Sequence, residues 1–184
     1  AFYNCSSLTK ISIPTSINSI GSNAFKGCNI SELECDPSQK QILSIINNIS
    51  TFKKLIISAT VKSLNNLNLN QFSNLNEIVI PSSVASIDDY AFDDCCDLNK
   101  VTIPSSVTSI GNYAFNYCES LTDIKIPNSV TSIGEYAFYC CTSLRKITIP
   151  KSVKSIGNNA FSDCSSLNQI TIPSSIKSIG SSSF

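Results

Sequence analysis

Apolar and polar residues follow one repeating pattern along this chain. From residue 78 onwards, isoleucine, valine, alanine and phenylalanine recur at fixed places, and proline marks the period at positions 81, 104, 127, 150 and 173. These prolines stand 23 residues apart, and a unit of that length cannot bury its apolar face alone. The pattern therefore predicts a solenoid whose turns stack and share one core.

Each unit contains one short strand. The segment Ile124-Lys125-Ile126 alternates apolar and polar residues and is rich in β-branched side chains, which predicts a strand with its isoleucines facing inward. Pro127 follows and ends the strand, because proline has no N–H to donate. Strands one turn apart should pair in parallel, at a spacing of about 4.8 Å. Equivalent positions predict eight strands, at 11–13, 33–35, 55–57, 78–80, 101–103, 124–126, 147–149 and 170–172.

The residues after the proline form the rest of the turn. Val130 and Ile133 are expected to point inward, and Gly134 to permit a tight bend. Every unit also carries a hydroxyl side chain two residues after the proline position, which we expect to bond backbone groups left open by the bend. These residues are Ser16, Ser38, Thr60, Ser83, Ser106, Ser129, Ser152 and Ser175.

The complete unit has a recognisable form. It reads Leu-x-x-Ile-x-Ile-Pro-x-Ser-Val-x-x-Ile-Gly-x-x-Ala-Phe-x-x-Cys. This unit resembles the BspA-like leucine-rich repeat of bacterial and protist surface proteins, with close matches over residues 78–184 and 1–28. The resemblance implies an α/β repeat fold, a curved solenoid of about eight turns of 22 or 23 residues. It further implies a parallel β-sheet on the concave side and short helical or irregular segments on the convex side.

The same resemblance carries an expectation of function. Members of this type are often adhesins, so it implies a non-catalytic recognition or adhesion module, secreted or at the cell surface. Its partners would be proteins, including host or matrix proteins, or glycans. An intracellular scaffold for protein–protein interactions, located in the cytoplasm, remains the alternative.

The chain is expected to form a single repeat domain over residues 1–184, in which 29–77 is degenerate. That stretch keeps the strand period but loses the Ile-Pro and Ala-Phe pairs. Asp36-Pro37 reads as a helix N-cap followed by proline at the first helical position. Isoleucine and leucine then recur at helical spacing, which predicts a convex-side α-helix over 37–48. Both chain ends fall inside a repeat, so we expect a fragment of a longer protein.

Composition narrows the functional classes. The chain has no histidine, which removes Ser-His-Asp and Cys-His catalysis and the commonest zinc ligand. Its 13 basic and 13 acidic residues balance, so nothing favours nucleic-acid binding. No apolar run reaches the roughly 20 residues of a membrane span. We therefore expect no enzyme activity, no catalytic or metal-binding residues, no cofactor and no membrane insertion within this chain.

Most of the nine cysteines follow the repeat. One position, three residues after the phenylalanine of Ala-Phe, is expected to hold a small buried apolar side chain. The odd total and two vicinal pairs argue against a disulfide framework, so free thiols are expected. The cysteines at this position are Cys5, Cys28, Cys95, Cys118, Cys141 and Cys164.

Two columns of side chains should face solvent on the strand side. The first alternates in charge from turn to turn, and Lys54, Glu77 and Lys100 are its central members and candidate contacts for a partner. In the second, Ile56 and Val79 form an adjacent apolar pair, a further candidate contact. Ordinary β-propensity is the favoured explanation of that pair, with binding as the alternative. The first column is Lys10, Glu32, Lys54, Glu77, Lys100, Asp123, Lys146 and Gln169.

A competing surface lies beside the Ala-Phe pairs. Tyr90, Tyr113 and Tyr136 occupy one position in three consecutive turns. Tyrosine is favoured at protein interfaces, although packing on the solenoid flank is the alternative. Five aspartates between 88 and 97 crowd the same region. They lack the spacing of known calcium loops and are best explained as a solvated acidic patch.

Two further expectations concern the whole molecule. Phe2 and Phe184 lie near the ends, so uncapped chains are expected to associate with one another. Sequons at Asn4, Asn29 and Asn48 would carry glycans only in a secreted protein.

Overall fold

The computed structural model describes residues 2–39, 42, 49, 51–65, 67, 69–72 and 74–184. The chain forms a parallel β-solenoid with two columns of strands. In chain order the strands are β1 (Lys10–Ser12), β2 (Glu32–Cys35), β3 (Lys54–Ile57), β4 (Glu77–Val79), β5 (Lys100–Thr102), β6 (Ser109–Ile110), β7 (Asp123–Lys125), β8 (Ser132–Ile133), β9 (Lys146–Thr148), β10 (Ser155–Ile156), β11 (Gln169–Thr171) and β12 (Ser178–Ile179).

The first column confirms the eight predicted strands. It contains β1 to β5 in one parallel sheet, followed by β7, β9 and β11 in a second. Each strand begins one residue earlier than predicted, because the polar residue before the first apolar position joins the backbone ladder. The equivalent residues of successive turns are direct partners, as in Lys10 with Glu32 and Ile11 with Leu33. About seven complete turns therefore separate the first strand from the eighth.

A second column of strands was not predicted. Four two-residue strands, β6, β8, β10 and β12, pair in parallel in that order along the solenoid. Ile87 extends this column by a single bridge to Ile110. Its isoleucines, such as Ile133, do point inward as expected. The apolar pattern could not show that the backbone here is extended, because two residues are too few to display an alternation.

The core is one continuous cluster built from columns of identical side chains. Phe92, Phe115, Phe138 and Phe161 are almost fully buried. Their rings stack at centroid distances of 5.0, 5.1 and 5.2 Å. Because these four successive turns each contribute the same ring at the same height, each phenylalanine packs against the rings of neighbouring turns rather than within its own turn.

The convex wall of the regular turns is made of turns, not helix. Tyr90, Tyr113 and Tyr136 have φ values of 59°, 56° and 54°, in the left-handed region. This conformation costs roughly 1–2 kcal/mol for a residue other than glycine. The wall is held by a third backbone ladder, in which the N–H groups of Tyr90 and Phe92 donate to carbonyls of the next turn at 2.9 Å each. The irregular convex side implied by the resemblance is therefore hydrogen-bonded from turn to turn.

The degenerate stretch replaces this wall by other structure. A 3₁₀ helix spans Leu69–Gln71. The predicted helix over 37–48 lies largely outside the described residues, although Ile42 is helical and buried. The described residues 37–39, where the helix was predicted to begin, are not helical; Asp36 instead caps a turn, since its Oδ1 accepts hydrogen bonds from the Ser38 backbone N–H at 3.0 Å and the Ser38 hydroxyl at 2.6 Å.

Glycine has a different role from the one predicted. Gly134 does not adopt a positive φ, which among the glycines is found at Gly27. A Cβ on Gly134 would lie 2.5 Å from the carbonyl carbon of Gly111, in the preceding turn. Close approach of two backbones, and not a tight bend, is therefore why this position requires glycine.

The hydroxyl positions also act between turns. Ser106 donates to the carbonyl of Val84 at 2.6 Å, and Ser175 donates to that of Val153 at 3.1 Å. Each acceptor lies 22 residues earlier in the chain. Four of the eight predicted hydroxyls thus satisfy open backbone groups, but those of the neighbouring turn; they are Ser83, Ser106, Ser129 and Ser175. Ser38 and Thr60 instead contact side chains of their own turn, and the buried Ser152 Oγ has no hydrogen-bond partner among the described residues.

Candidate recognition surfaces

The charged residues that begin β1 to β5 form an ion-pair ladder, called here the charge column. Parallel pairing places Glu32 between Lys10 and Lys54, and Glu77 between Lys54 and Lys100. The ammonium-to-carboxylate distances along it are 2.6, 3.7, 3.4 and 3.2 Å. The lysines and glutamates that alternate in the sequence therefore form direct ion pairs, and this face is left locally neutral.

Beyond Lys100 the alternation continues without close ion pairs. Asp123 and Lys146 are register partners. However, all salt bridges among the described residues lie between Lys10 and Lys100. The ladder of strands is also interrupted there, because β5 and β7 belong to different sheets. The nominated residues Lys54, Glu77 and Lys100 thus sit in the continuous part of the column.

Ion pairing shifts titration at the start of the column. The hydrogen bond and the charge of Lys10 lower the pKa of Glu32, and the same contacts raise the pKa of Lys10. Both shifts favour the charged forms. The side chain of Lys10 is 61% exposed, so water screens the pair and its effect on stability is small.

The predicted apolar pair on the strand side, which lies on β3 and β4 in the first column of strands, is placed as expected. Ile56 and Val79 are direct register partners on β3 and β4, and both are partly buried. Glu34 and Thr102 flank them on the neighbouring strands. A partner that contacts Ile56 and Val79 would also meet polar groups on either side; their role in binding stays a prediction.

The three nominated tyrosines form a stacked ladder on the convex flank. The ring centroids of Tyr90 and Tyr113 are 4.8 Å apart with an interplanar angle of 4°, and those of Tyr113 and Tyr136 are 4.8 Å apart at 5°. At the far end Tyr139 meets Tyr136 edge-on, at 5.5 Å and 68°. The rings pack against one another and still present a surface to solvent, because stacking buries their faces and leaves their edges exposed. We call these three residues the tyrosine ladder.

The aspartates beside the tyrosine ladder hold turns together. Asp88 accepts hydrogen bonds from the backbone N–H of Leu64 at 2.6 Å and from the hydroxyl of Ser63 at 2.7 Å. Asp89 accepts from the N–H of Asn112 at 2.7 Å. In the described part of the chain, no group of three or more histidine, cysteine, aspartate or glutamate side chains is arranged to hold a metal ion.

Two small cavities lie where the degenerate stretch meets the regular turns. The 3₁₀ helix Leu69–Gln71 stands where the next turn places Phe92 and the left-handed Asp94, so the two walls do not match. The first cavity, about 180 Å³, is called here the seam cavity. Its lining includes Asn65, Leu67, Asn70, Asp89, Tyr90 and Asp93. The second, about 250 Å³, is lined in part by Phe72, Asp94, Cys96 and Asp97.

A longer, open groove crosses the second column of strands. Its volume is about 520 Å³, and it is lined by the serine of each Ser-Ile strand and by the glycine that follows. Asn112, Glu135 and Asn158 form one side and bond to their neighbours, as in the 3.0 Å contact from Asn158 Nδ2 to Glu135 Oε1. Sequence reasoning missed this groove, although the repeated Ser-Ile-Gly triplet was a visible signal for it.

Four of the six repeat cysteines are buried as predicted, whereas Cys28 is partly buried and Cys5, in the first turn, is exposed. All nine cysteines are free thiols, as expected. Cys118, Cys141 and Cys164 donate their S–H groups to phenylalanine carbonyls of the preceding turn at 3.2, 3.2 and 3.1 Å. Burial raises the pKa of the Cys95 thiol to about 12, so it is not a nucleophile at neutral pH.

Comparison with known proteins gives the same fold. The chain is similar to a T. pallidum leucine rich repeat protein, with 23% identity, a TM-score of 0.68, and coverage of 93% of this chain and 72% of that one. It is also similar to a leucine rich cell surface protein from Faecalibacterium prausnitzii, with 28% identity and a TM-score of 0.52. That match covers 89% of this chain but only 47% of the other, so this chain spans about half of its length. No curated protein matches.

Two other findings complete the description. None of the described residues belongs to a helix with the length and apolarity that crossing a bilayer demands. The family described as the BspA type leucine rich repeat region matches residues 1–121 and 85–184, with six copies of its repeat. With its strand register, phenylalanine column and repeat cysteines in place, the chain belongs to the BspA type leucine rich repeat family.

Proposed function

We propose that this chain is a non-catalytic recognition module of a cell-surface protein, which binds other proteins through the outer surface of its solenoid. The observation that carries the proposal is the division between core and surface. Apolar side chains of every turn fill one continuous cluster, while whole columns of side chains stand in register outside it. A repeat of this kind offers an extended surface for a macromolecular partner.

The cell-surface part of the proposal rests on family membership and on one similar protein. The similar chain from Faecalibacterium prausnitzii is a leucine rich cell surface protein. Adhesion and glycan binding fit the same location. Of the three sequons, Asn4 and Asn29 are exposed, and Asn48 lies outside the described residues. A cytoplasmic scaffold is the alternative, and a signal sequence or anchor in the full-length protein would decide against it.

Capture experiments with the fragment test this function. Purified residues 1–184 would be immobilised and offered matrix proteins and a glycan array. The variant Ile56→Asp/Val79→Asp disrupts the apolar pair on the strand face, and Tyr113→Asn/Tyr136→Asn disrupts the tyrosine ladder. Asparagine suits the second variant because Asn159 occupies the equivalent position with a φ of 53°. Loss of capture by one variant identifies the binding face, whereas undiminished capture by both would reject both nominated surfaces.

We also propose that uncapped copies of this chain associate. Phe2 is 49% exposed and Phe184 51% exposed, and each stacks on only one inner ring, Phe25 or Phe161. Strands β1 and β11 each have a single strand partner, so their outer edges are open. Light scattering should show oligomers that grow with concentration. A monomer at all concentrations up to the millimolar range would reject this proposal.

A further inference from the structure

Tyr90 occupies a special place at the beginning of the tyrosine ladder. One face of its ring is covered by Tyr113 at 4.8 Å. On the opposite side the preceding turn carries Leu67 at the equivalent position, one period earlier, and among the described residues no fourth ring continues the stack. Tyr90 is therefore 57% exposed, while Tyr113 and Tyr136 are partly buried. Its uncovered side lines the seam cavity.

The charged residues on either side of Tyr90 in the sequence are all acidic. Between residues 63 and 99 the sequence contains six acidic residues and no lysine or arginine. Two of these acids, Asp89 and Asp93, line the seam cavity beside Tyr90. In the described part of the chain no salt bridge involves either carboxylate. The cavity thus combines an electron-rich ring with two carboxylates that lack a cation.

The carboxylate of Asp93 can accept further hydrogen bonds from a ligand. Asn116 is only 8% exposed and donates its side-chain N–H to Asp93 Oδ1 at 2.8 Å, which fixes that carboxylate. The buried Oδ1 of the same amide has no hydrogen-bond partner. Asp93 retains free acceptor positions, since a carboxylate can accept about four hydrogen bonds. Asp93 is thus held in place beside the cavity and can still accept hydrogen bonds from a ligand, while Asn116 itself is not part of the cavity lining.

We propose that the seam cavity binds an arginine side chain of a protein partner. The guanidinium group would lie against the uncovered face of Tyr90 and donate hydrogen bonds to Asp89 and Asp93. Arginine suits this arrangement better than lysine, because it is planar, stacks on aromatic rings and presents several donors in a fixed fork. A volume of about 180 Å³ suits a single side chain, since pockets for drug-sized ligands are larger. This inference rests on the proposed function, for which it names the chemistry of the partner.

Small probes test the inference without knowledge of the partner. N-acetyl-arginine methylamide, its lysine counterpart and its citrulline counterpart would be titrated into residues 1–184. Isothermal titration calorimetry and the NMR signals of the tyrosine rings would report binding. Citrulline has nearly the shape of arginine but no charge. We expect saturable binding of the arginine probe, with at least about tenfold weaker binding of the citrulline probe.

Matched variants locate the site. Tyr90→Asn and Asp93→Asn should each weaken arginine binding by about fivefold or more. Tyr117→Asn removes another ring with a left-handed backbone (φ 54°) that is not part of the seam-cavity lining, and Asp97→Asn removes one charge from the neighbouring cavity; each should change binding less than about twofold. Circular dichroism and the melting temperature check that each variant is folded. If Tyr90→Asn does not fold, the perturbation of the Tyr90 ring signals by the arginine probe decides the question in the unaltered chain.

Several outcomes would overturn the inference. Equal losses in Asp93→Asn and Asp97→Asn would indicate diffuse charge attraction and no site. Binding of a neutral methyl glycoside that depends on Tyr90, without preference for arginine, would make this a sugar site. Absence of saturable arginine binding, in a fragment that still captures a matrix protein, would reject the arginine pocket and leave the proposed function intact.

Discussion

The regular turns, residues 78–184, and the degenerate stretch, residues 29–77, keep the same spacing of strands but differ in the rest of the turn. The strands of the degenerate stretch, β2 and β3, belong to the continuous sheet formed by β1 to β5. The charge column runs across this sheet, through the first residue of each strand. In the regular turns the strand face is interrupted between β5 and β7. There the second column of strands and the convex backbone ladder provide additional links between turns.

This difference shows which part of the repeat holds the array together. Parallel pairing at the strand is continuous from β1 to β5, through the whole degenerate stretch, so the solenoid continues where the convex wall changes. The convex wall is free to vary because each turn needs only to fill the core and satisfy its backbone groups. Where two kinds of wall meet, they cannot pack perfectly. The seam cavity is the result, and it is also where the most unusual surface chemistry lies.

Removal of a core ring should give the largest effect and should distinguish the two regions. Phe138 stacks between Phe115 and Phe161 at 5.1 and 5.2 Å, whereas Phe72 meets one ring, Phe52, edge-on at 6.2 Å. Phe138→Ala should lower the free energy of unfolding by about 3–5 kcal/mol, and Phe72→Ala by roughly 3 kcal/mol or less. Urea unfolding measures both. A larger loss for Phe72→Ala would show that the degenerate stretch carries more of the stability.

Substitution of a stacked glycine should come next in size. A Cβ at Gly157 would lie 2.4 Å from the backbone nitrogen of Glu135, while at Gly21 nothing lies within 4 Å. Gly157→Ala should therefore destabilise the protein by about 1–3 kcal/mol, because the neighbouring turn must shift. Gly21→Ala is the matched control and should be neutral or slightly stabilising. Melting temperatures test the pair, and equal shifts would contradict close approach as the reason for glycine.

Loss of a charge should have the smallest effect and should depend on region. Glu32→Gln breaks the contacts to Lys10 and Lys54, and we expect a loss below about 1 kcal/mol. Asp123→Asn, at the same position in a turn without a close ion pair, should cost less still. Thermal unfolding at low salt measures the difference. It should shrink in 1 M salt, which screens exposed charges.

Acidity provides a related test. Because Lys10 lowers the pKa of Glu32 in the folded chain, the unfolded chain binds its proton more readily. The contribution of Glu32 is therefore fully present above its unfolded pKa and is lost as the pH falls through its lower, folded value. Stability measured from neutral pH down into that range should fall less steeply in Glu32→Gln than in the unaltered chain. Parallel pH profiles would contradict this linkage.

The sequence by itself determined the period, the positions of the long strands and the order of the charge column. It could do so because alternation along a strand and a fixed spacing between strands leave one register that turns the central apolar residue of each strand toward the core. Tyr90, Tyr113 and Tyr136 could be aligned for the same reason. Asp36 could be identified as a cap from its own neighbours, although it caps a turn, since a cap bonds within two or three residues.

Only the tertiary structure decided the features that depend on atoms one turn away. The need for glycine at position 134, the acceptor of each repeat cysteine and the acceptor of Ser106 all lie 22 to 26 residues distant. The left-handed backbone of Tyr90 and the open face of its ring likewise depend on what the adjacent turns present. The pattern along the chain shows which side chain occupies each position of a turn. It does not show how closely two stacked backbones fit, because that fit depends on contacts between turns.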